Sequence, residues 1–110
     1  MSASNPFNDR EKGFEAKYKL DEEQAFRAHA KGNKLFGLWA AEQLDLSGPE
    51  ADMYAKTVVE ADFDRPGDDD VIEKVMDDLR AKGIQTTAEK LVAELATKRA
   101  EAAALIAAEK

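Results

Sequence analysis

The chain has 110 residues, room for one domain with one modest core, and no cysteine, which excludes a disulfide scaffold, a thiolate metal site and a cysteine nucleophile. It is 44% hydrophobic and 35% charged, poor in β-branched residues and rich in Ala, Leu, Glu and Lys, a composition that favours an all-α fold. The net charge of −7 is concentrated in residues 35–79, which carry three Lys/Arg against thirteen Asp/Glu, so that stretch repels nucleic acid and anionic lipid and suits a basic protein partner.

Residues 1–19 differ from the rest. They mix charges of both signs with Phe7, Phe14 and Tyr18, and Pro6 and Gly13 interrupt any continuous apolar stripe. Alone, such a segment is expected to be disordered or only partly helical. Phe7, Phe14 and Tyr18 nevertheless stand at spacings that share one face of a helix, so a partner can induce that helix and bury them. The competing reading is a solvated terminal arm. No apolar run resembles a signal peptide or a membrane span, and a cytosolic, reducing setting is expected.

A first helix is predicted from about Asp21 to Leu46. Asp21 and Gln24 have capping-box spacing, and Glu22 and Glu23 complement the positive end of the helix. Its second half, Leu35–Ala41, is apolar on every side and is expected to be buried all round at the centre of the core. Gly48 is expected to stop it. Ser47 and Glu50 then open a second helix, from about Pro49 to Asp62, with Pro49 in its first turn. Ala51, Tyr54, Ala55, Val58 and Val59 form its inward stripe, with Phe63 as an anchor beyond it. Asp64-Arg65-Pro66-Gly67 reads as a turn, and Asp68, Asp69 and Asp70 begin a third helix carrying Val71, Ile72, Val75, Met76 and Leu79. Gly83 is expected to end it. Thr86 and Glu89 have capping-box spacing for a fourth helix with an Ala88, Leu91, Val92, Leu95, Ala102, Ile106 stripe. Arg99 falls on that stripe and is expected to reach an acid on another helix. Short joints between four helices favour antiparallel neighbours in a small bundle, giving a domain at 20–110 behind the segment 1–19.

The acidic turn is the main constellation with chemical potential. Asp62, Asp64, Gly67, Asp70 and Glu73 match positions 1, 3, 6, 9 and 12 of a calcium-binding EF-hand loop. Pro66 stands where a ligating side chain is usual, and Asp69 where an apolar residue normally pins the loop. A capped turn with solvated acids is the plainer reading. His29 is the only histidine and has no carboxylate at helical spacing on its own helix, which suits a partly exposed surface residue. Trp39 is expected in the core, and Tyr54 at its edge. Gly13, Gly32 and Gly37 form no phosphate cradle. One histidine on a helix face builds no Ser-His-Asp arrangement, and a bundle of this size offers little cleft to separate the pKa values of paired acids, so an enzyme is not expected.

The pattern Phe7-x-Asp9-Arg10-Glu11-x-x-Phe14-Glu15-x-Lys17-Tyr18, then Lys34-Leu35-Phe36-Gly37-Leu38-Trp39-Ala40-Ala41, then Ala51, Tyr54, Val58 and Val59, and Gly67-Asp68-Asp69-Asp70-Val71, resembles the zeta-subunit inhibitors of alphaproteobacterial F-type ATP synthases. The resemblance covers nearly the whole chain. It implies a four-helix protein without a cofactor, in the bacterial cytoplasm at the inner membrane through F1. Its N-terminal segment blocks ATP hydrolysis as a helix at an interface of alpha and beta subunits close to gamma. Phe7, Phe14 and Tyr18 would be anchors, Asp9, Arg10, Glu15 and Lys17 would fix register, and Glu11 would complete the partner-binding set. The bundle would be a stop and a second docking surface. Nucleotide binding by the bundle stays open, with no motif for it. The alternative is a metal- or nucleotide-responsive module using Asp62, Asp64, Asp70 and Glu73.

Overall fold

Local signals at the helix ends set where the chain turns. A computed structural model describes residues 20–64 and 69–109, in which four α-helices run in order: α1 (Glu22–Gln43), α2 (Gly48–Asp64), α3 (Asp69–Ala81) and α4 (Ala88–Ala108), with no strand among the described residues. The all-α expectation holds. No helix among the described residues is long and apolar enough to cross a membrane.

The capping box at the start of α1 forms as its spacing predicts. The Asp21 carboxylate accepts from the Gln24 N–H at 2.8 Å, and the Gln24 side chain accepts from the Asp21 N–H at 3.1 Å, satisfying two donors that the first turn would leave unpaired. The other end differs from expectation. α1 stops at Gln43, because Asp45 takes a left-handed conformation (φ 62°), and the Leu46 and Asp45 N–H groups bond back to the Ala41 and Glu42 carbonyls at 2.9 and 3.1 Å. Gly48 begins α2 instead of ending α1. The Lys82 ammonium, from beyond α3, donates to the Leu44 carbonyl at 3.0 Å and supplies a cation that the last turn of α1 lacks.

Gly83 ends α3 as expected, with φ 83° and the Ile84 N–H bonded to the Leu79 carbonyl at 2.9 Å. The cap of α4 lies one residue later than predicted. Thr87, not Thr86, accepts from the Lys90 N–H at 3.2 Å, which puts Lys90 at the third helical position and leaves no capping box with Glu89.

α1 is the central helix, lying against α4 on one side and α2 on another, with α3 bridging α2 and α4. Two glycines set how closely its neighbours approach. A β-carbon on Gly37 would lie 2.7 Å from the Ala55 Cα of α2, and one on Gly32 would lie 2.9 Å from the Arg99 Cα of α4. Both contacts involve backbone, so only a residue without Cβ lets these axes cross so closely. The main core gathers Phe36, Ala40, Leu44, Val58, Val71, Ile72, Val75, Leu79, Leu91 and Leu95. A second, smaller cluster at the start of α1 and the end of α4 contains Ala28, Ala103 and Ile106, with Leu20 packed on it. The apolar half of α1 is not buried all round. Phe36, Ala40 and Ala41 are fully buried, but Leu35, Leu38 and Trp39 are only partly covered and Lys34 is exposed, because two main neighbours leave α1 an outer side facing water.

Candidate functional site

Phe7, Asp9, Arg10, Glu11, Phe14, Glu15, Lys17 and Tyr18 lie outside the described residues. What is described is the place where their segment joins the bundle. Leu20 is seated against Ala28, Ala103 and Ile106, so the chain enters the domain where the start of α1 meets the end of α4. The Arg27 guanidinium bonds the Glu109 carboxylate across the same end. Both partners are about half exposed, so this ion pair orients the two termini more than it stabilises them.

One turn inward lies a polar layer between the two apolar clusters. Arg99 of α4 and Asn33 of α1 are almost fully buried, and the Arg99 Nη2 donates to the Asn33 Oδ1 at 2.9 Å. The same Nη2 stands 3.3 Å from the His29 Nε2, and that ring nitrogen stands 3.2 Å from the Asp62 Oδ2 of α2. Three helices are thereby joined through side chains. A guanidinium taken out of water needs such partners, since an uncompensated buried charge is costly. The single Nε2 faces a donor on one side and an acceptor on the other, so the neutral ring satisfies one of them at a time through this atom. His29 is partly exposed, as the sequence suggested, and it has no carboxylate partner on its own helix; its partners come from α2 and α4, which helical spacing on α1 does not reveal. Arg99 does reach across to α1, as its position on the α4 stripe suggested, but its described contacts are to the Asn33 amide and the His29 ring and not to the acid that was expected.

A second polar contact ties α2 to α3. The Tyr54 hydroxyl donates to the Asp78 Oδ2 at 2.7 Å, and the Lys74 ammonium lies 3.0 Å from the same oxygen and 5.1 Å from the centre of the Tyr54 ring. Burial, then the hydrogen bond to Asp78 and its negative charge, push the Tyr54 phenol well above its ordinary range. It stays a neutral donor that holds two helices together and is no base at ordinary pH.

The EF-hand-like acids whose side chains are described, Asp62, Asp70 and Glu73, are not gathered into a metal-ligating group. α2 continues to Asp64 and α3 begins at Asp69, leaving four residues between helices where a calcium loop needs a longer non-helical stretch. The Asp62 carboxylate is turned to His29, Glu73 is exposed, and the Asp64 side chain lies outside the described residues. No group of three metal-ligating side chains occurs among the described residues.

Trp39, expected in the core, lies at its edge. Its ring stacks on Phe36 with centroids 5.7 Å apart, and it borders an open groove of about 380 Å³ with Gln43, Leu79, Ile84, Lys90 and Thr97. Arg80, Gly83 and Thr87 continue the depression around the start of α4. The sequence reading missed this groove because it arises where the α3–α4 connection folds back on α1.

No curated protein matched the chain when their sequences were compared. The family model for ATPase inhibitor subunit zeta matches residues 4–105, which takes in the aromatic N-terminal segment and all four helices but for the last residues of α4. The resemblance drawn from the Asp-Arg-Glu and Gly-Leu-Trp-Ala-Ala residues therefore holds. The chain belongs to the family of ATPase inhibitor subunit zeta and is a regulatory protein, not an enzyme.

Proposed function

We propose that this chain inhibits ATP hydrolysis by an F-type ATP synthase by inserting residues 1–19 at an alpha/beta interface of the catalytic head, near gamma, while residues 20–110 remain outside as a stop. The observation that carries the reading is the family match, which begins at residue 4 and so includes the whole Phe7–Tyr18 pattern. Phe7, Phe14 and Tyr18 are the anchors on this reading, and Asp9, Arg10, Glu11, Glu15 and Lys17 fix register. The energetics are those of coupled folding and binding. Ordering the segment costs free energy, and burial of three aromatic rings with paired charges exceeds it. Gly13 adds a cost of about 1 kcal/mol relative to Ala in a helix, which makes inhibition sensitive to that position.

The described architecture suits this role. Leu20, the residue that follows the segment, is seated in the bundle and gives a fixed point next to it. The setting follows from the partner: the bacterial cytoplasm, at the inner membrane through the catalytic head. The test is ATP hydrolysis by the cognate head with the full chain and with a chain beginning at Leu20. The full chain inhibits and the shortened one does not. Equal inhibition by both would remove the segment from the mechanism.

A further inference from the structure

The side of α1 that faces away from the bundle is not an ordinary polar face. Gly32, Asn33, Phe36, Gly37, Ala40 and Ala41 are buried toward the neighbouring helices. On the other side Lys31, Lys34, Leu35 and Leu38 follow one another at spacings of three and four residues, so they are adjacent on the helix surface. Trp39 borders them, one turn beyond Leu35. Lys34 is exposed, and the other four are only partly covered. Neither lysine has an ion-pair partner among the described residues, whereas Arg27, one turn before Lys31, is held by Glu109. An apolar strip beside two such ammonium groups fits an acidic segment that carries an aromatic ring.

We infer that this outer side of α1 is where residues 7–15 of the same chain rest while the protein is free. Reach and charge choose the occupant. Leu20 is seated at the start of α1, so the segment outside the described residues begins at the foot of this helix. Leu38 lies about 27 Å along α1 from Leu20. From Phe7 to Leu20 the chain spans up to about 43 Å when extended, but only about 20 Å as a helix. Phe7 therefore reaches Leu38 and Trp39 only when the segment is drawn out. In that form the period of two places Phe7, Asp9, Glu11 and Glu15 on one side and Arg10 and Lys12 on the other. The first side offers a ring to Leu38 and Trp39 and carboxylates to Lys31 and Lys34. A helix sorts the same residues differently, bringing Phe7 together with Phe14 and Tyr18. The two arrangements exclude each other, so resting on α1 competes with insertion. This consequence rests on the insertion reading, whereas the resting contact stands apart from it.

The chain has no cysteine, so a nitroxide on Ser4→Cys marks the full-length protein at one place. NMR signals of Leu35, Leu38 and the Trp39 indole should broaden strongly, and those of Ile72, buried on α3, should not. Lys31→Gln with Lys34→Gln keeps helix propensity and should remove most of the broadening while the circular dichroism stays that of the parent. Without the label, this double variant should half-inhibit ATP hydrolysis by the cognate head at about threefold lower concentration, because less of the free protein holds its segment on α1. A purely structural role for the two lysines would not strengthen the inhibitor. Broadening that is absent, as strong at Ile72 as at Leu38, or unchanged by the two Gln substitutions overturns the resting site. Broadening of equal strength when nitroxide and isotope are on different chains assigns the face to a second copy instead. Loss of broadening with unchanged half-inhibition overturns the competition. A parent chain that broadens Leu38 but inhibits nothing defeats insertion and leaves the resting contact standing. Should the double variant unfold, Asp9→Asn with Glu11→Gln, outside the helices, tests the same pairing by the same broadening.

Discussion

The two ends of this bundle are stabilised by different means. At the core end, large apolar side chains from all four helices meet: Phe36 and Leu44 from α1, Val58 from α2, Leu79 from α3, and Leu91 and Leu95 from α4. At the end where residues 1–19 depart, two helices meet through Ala28, Ala103 and Ile106, and a polar layer of His29, Asn33, Asp62 and Arg99 separates this small cluster from the main core. The first end supplies the free energy of folding through burial. The second supplies orientation, through groups that accept only one register. The insertion proposed above would draw on both, a body that does not yield and a root that points in one direction.

Truncating the core end gives the largest effect. Phe36 is fully buried and stacks on Trp39, so Phe36→Ala is expected to cost about 3–5 kcal/mol, a large share of the stability of a domain this small. Urea unfolding followed by circular dichroism measures it. Ile106→Val at the other end removes one methylene and should cost only about 1 kcal/mol in the same assay. A loss at position 106 as large as that at position 36 would end the distinction between the two regions.

The two glycines of α1 sharpen the comparison, since one lies in each region. A Cβ at Gly37 meets the Ala55 backbone at 2.7 Å, and one at Gly32 meets the Arg99 Cγ at 2.5 Å and its Cα at 2.9 Å. Overpacking costs about 1–3 kcal/mol, against which Ala gains about 1 kcal/mol of helix propensity. Both Gly→Ala variants should therefore be destabilised by net amounts of up to about 2 kcal/mol. They differ in kind. Gly32→Ala should also disturb the Arg99–Asn33 bond, visible as shifts of the Asn33 side-chain amide in NMR spectra, whereas Gly37→Ala leaves that signal in place.

How much of this was legible in the sequence follows from how far apart the cooperating residues are. The Asp21–Gln24 box and the Gly83 stop are contained within a few residues, and both formed as read. The Thr87 cap was misplaced by one residue because the Thr86–Glu89 pair has the spacing of a box while the chain uses its neighbour. The end of α1 was misread for a similar reason: Gly48 is the stronger local signal, but Asp45 takes the left-handed position. The polar layer was legible only in part. Arg99 on an apolar stripe announced a cross-helix contact, whereas the partners of His29 stand 33 and 70 residues away along the chain, and no spacing rule on one helix finds them. Gly32 and Gly37 gave no signal beyond being glycines in a helix, because their purpose is set by the neighbours that approach them.

The Tyr54–Asp78 bond gives a pH-dependent prediction with a definite sign. Folding raises the Tyr54 pKa, so the native state holds the proton more tightly than the unfolded chain, whose tyrosine titrates near 10. The stabilisation is complete below about pH 10 and falls as pH rises above that value. Tyr54→Phe should lose about 1 kcal/mol at pH 8 through the missing hydrogen bond. Above pH 10 the gap between variant and parent should narrow, and a gap that stays constant to pH 11 would remove Tyr54 from the alkaline response. Urea midpoints at the two pH values decide this.

The smallest expected effect tests the turn that ends α1 at the core end of the molecule. Asp45 holds φ at 62°, a conformation that Asp tolerates and Gly adopts freely. Leu46 follows it and packs on the main core, so the turn sets both the end of α1 and the placement of an apolar side chain. Asp45→Gly removes the steric cost of the left-handed residue but leaves a more flexible unfolded chain, and the two effects oppose each other. The net should be a gain of roughly 0.5 kcal/mol, aided by removal of a negative charge at the negative end of the helix. Asp45→Val should lose more than 1 kcal/mol, since a β-branched side chain does not fit the left-handed region. If both substitutions left the urea midpoint unchanged, the turn would not be what stops α1, and the neighbouring Lys82–Leu44 bond would be the next place to look.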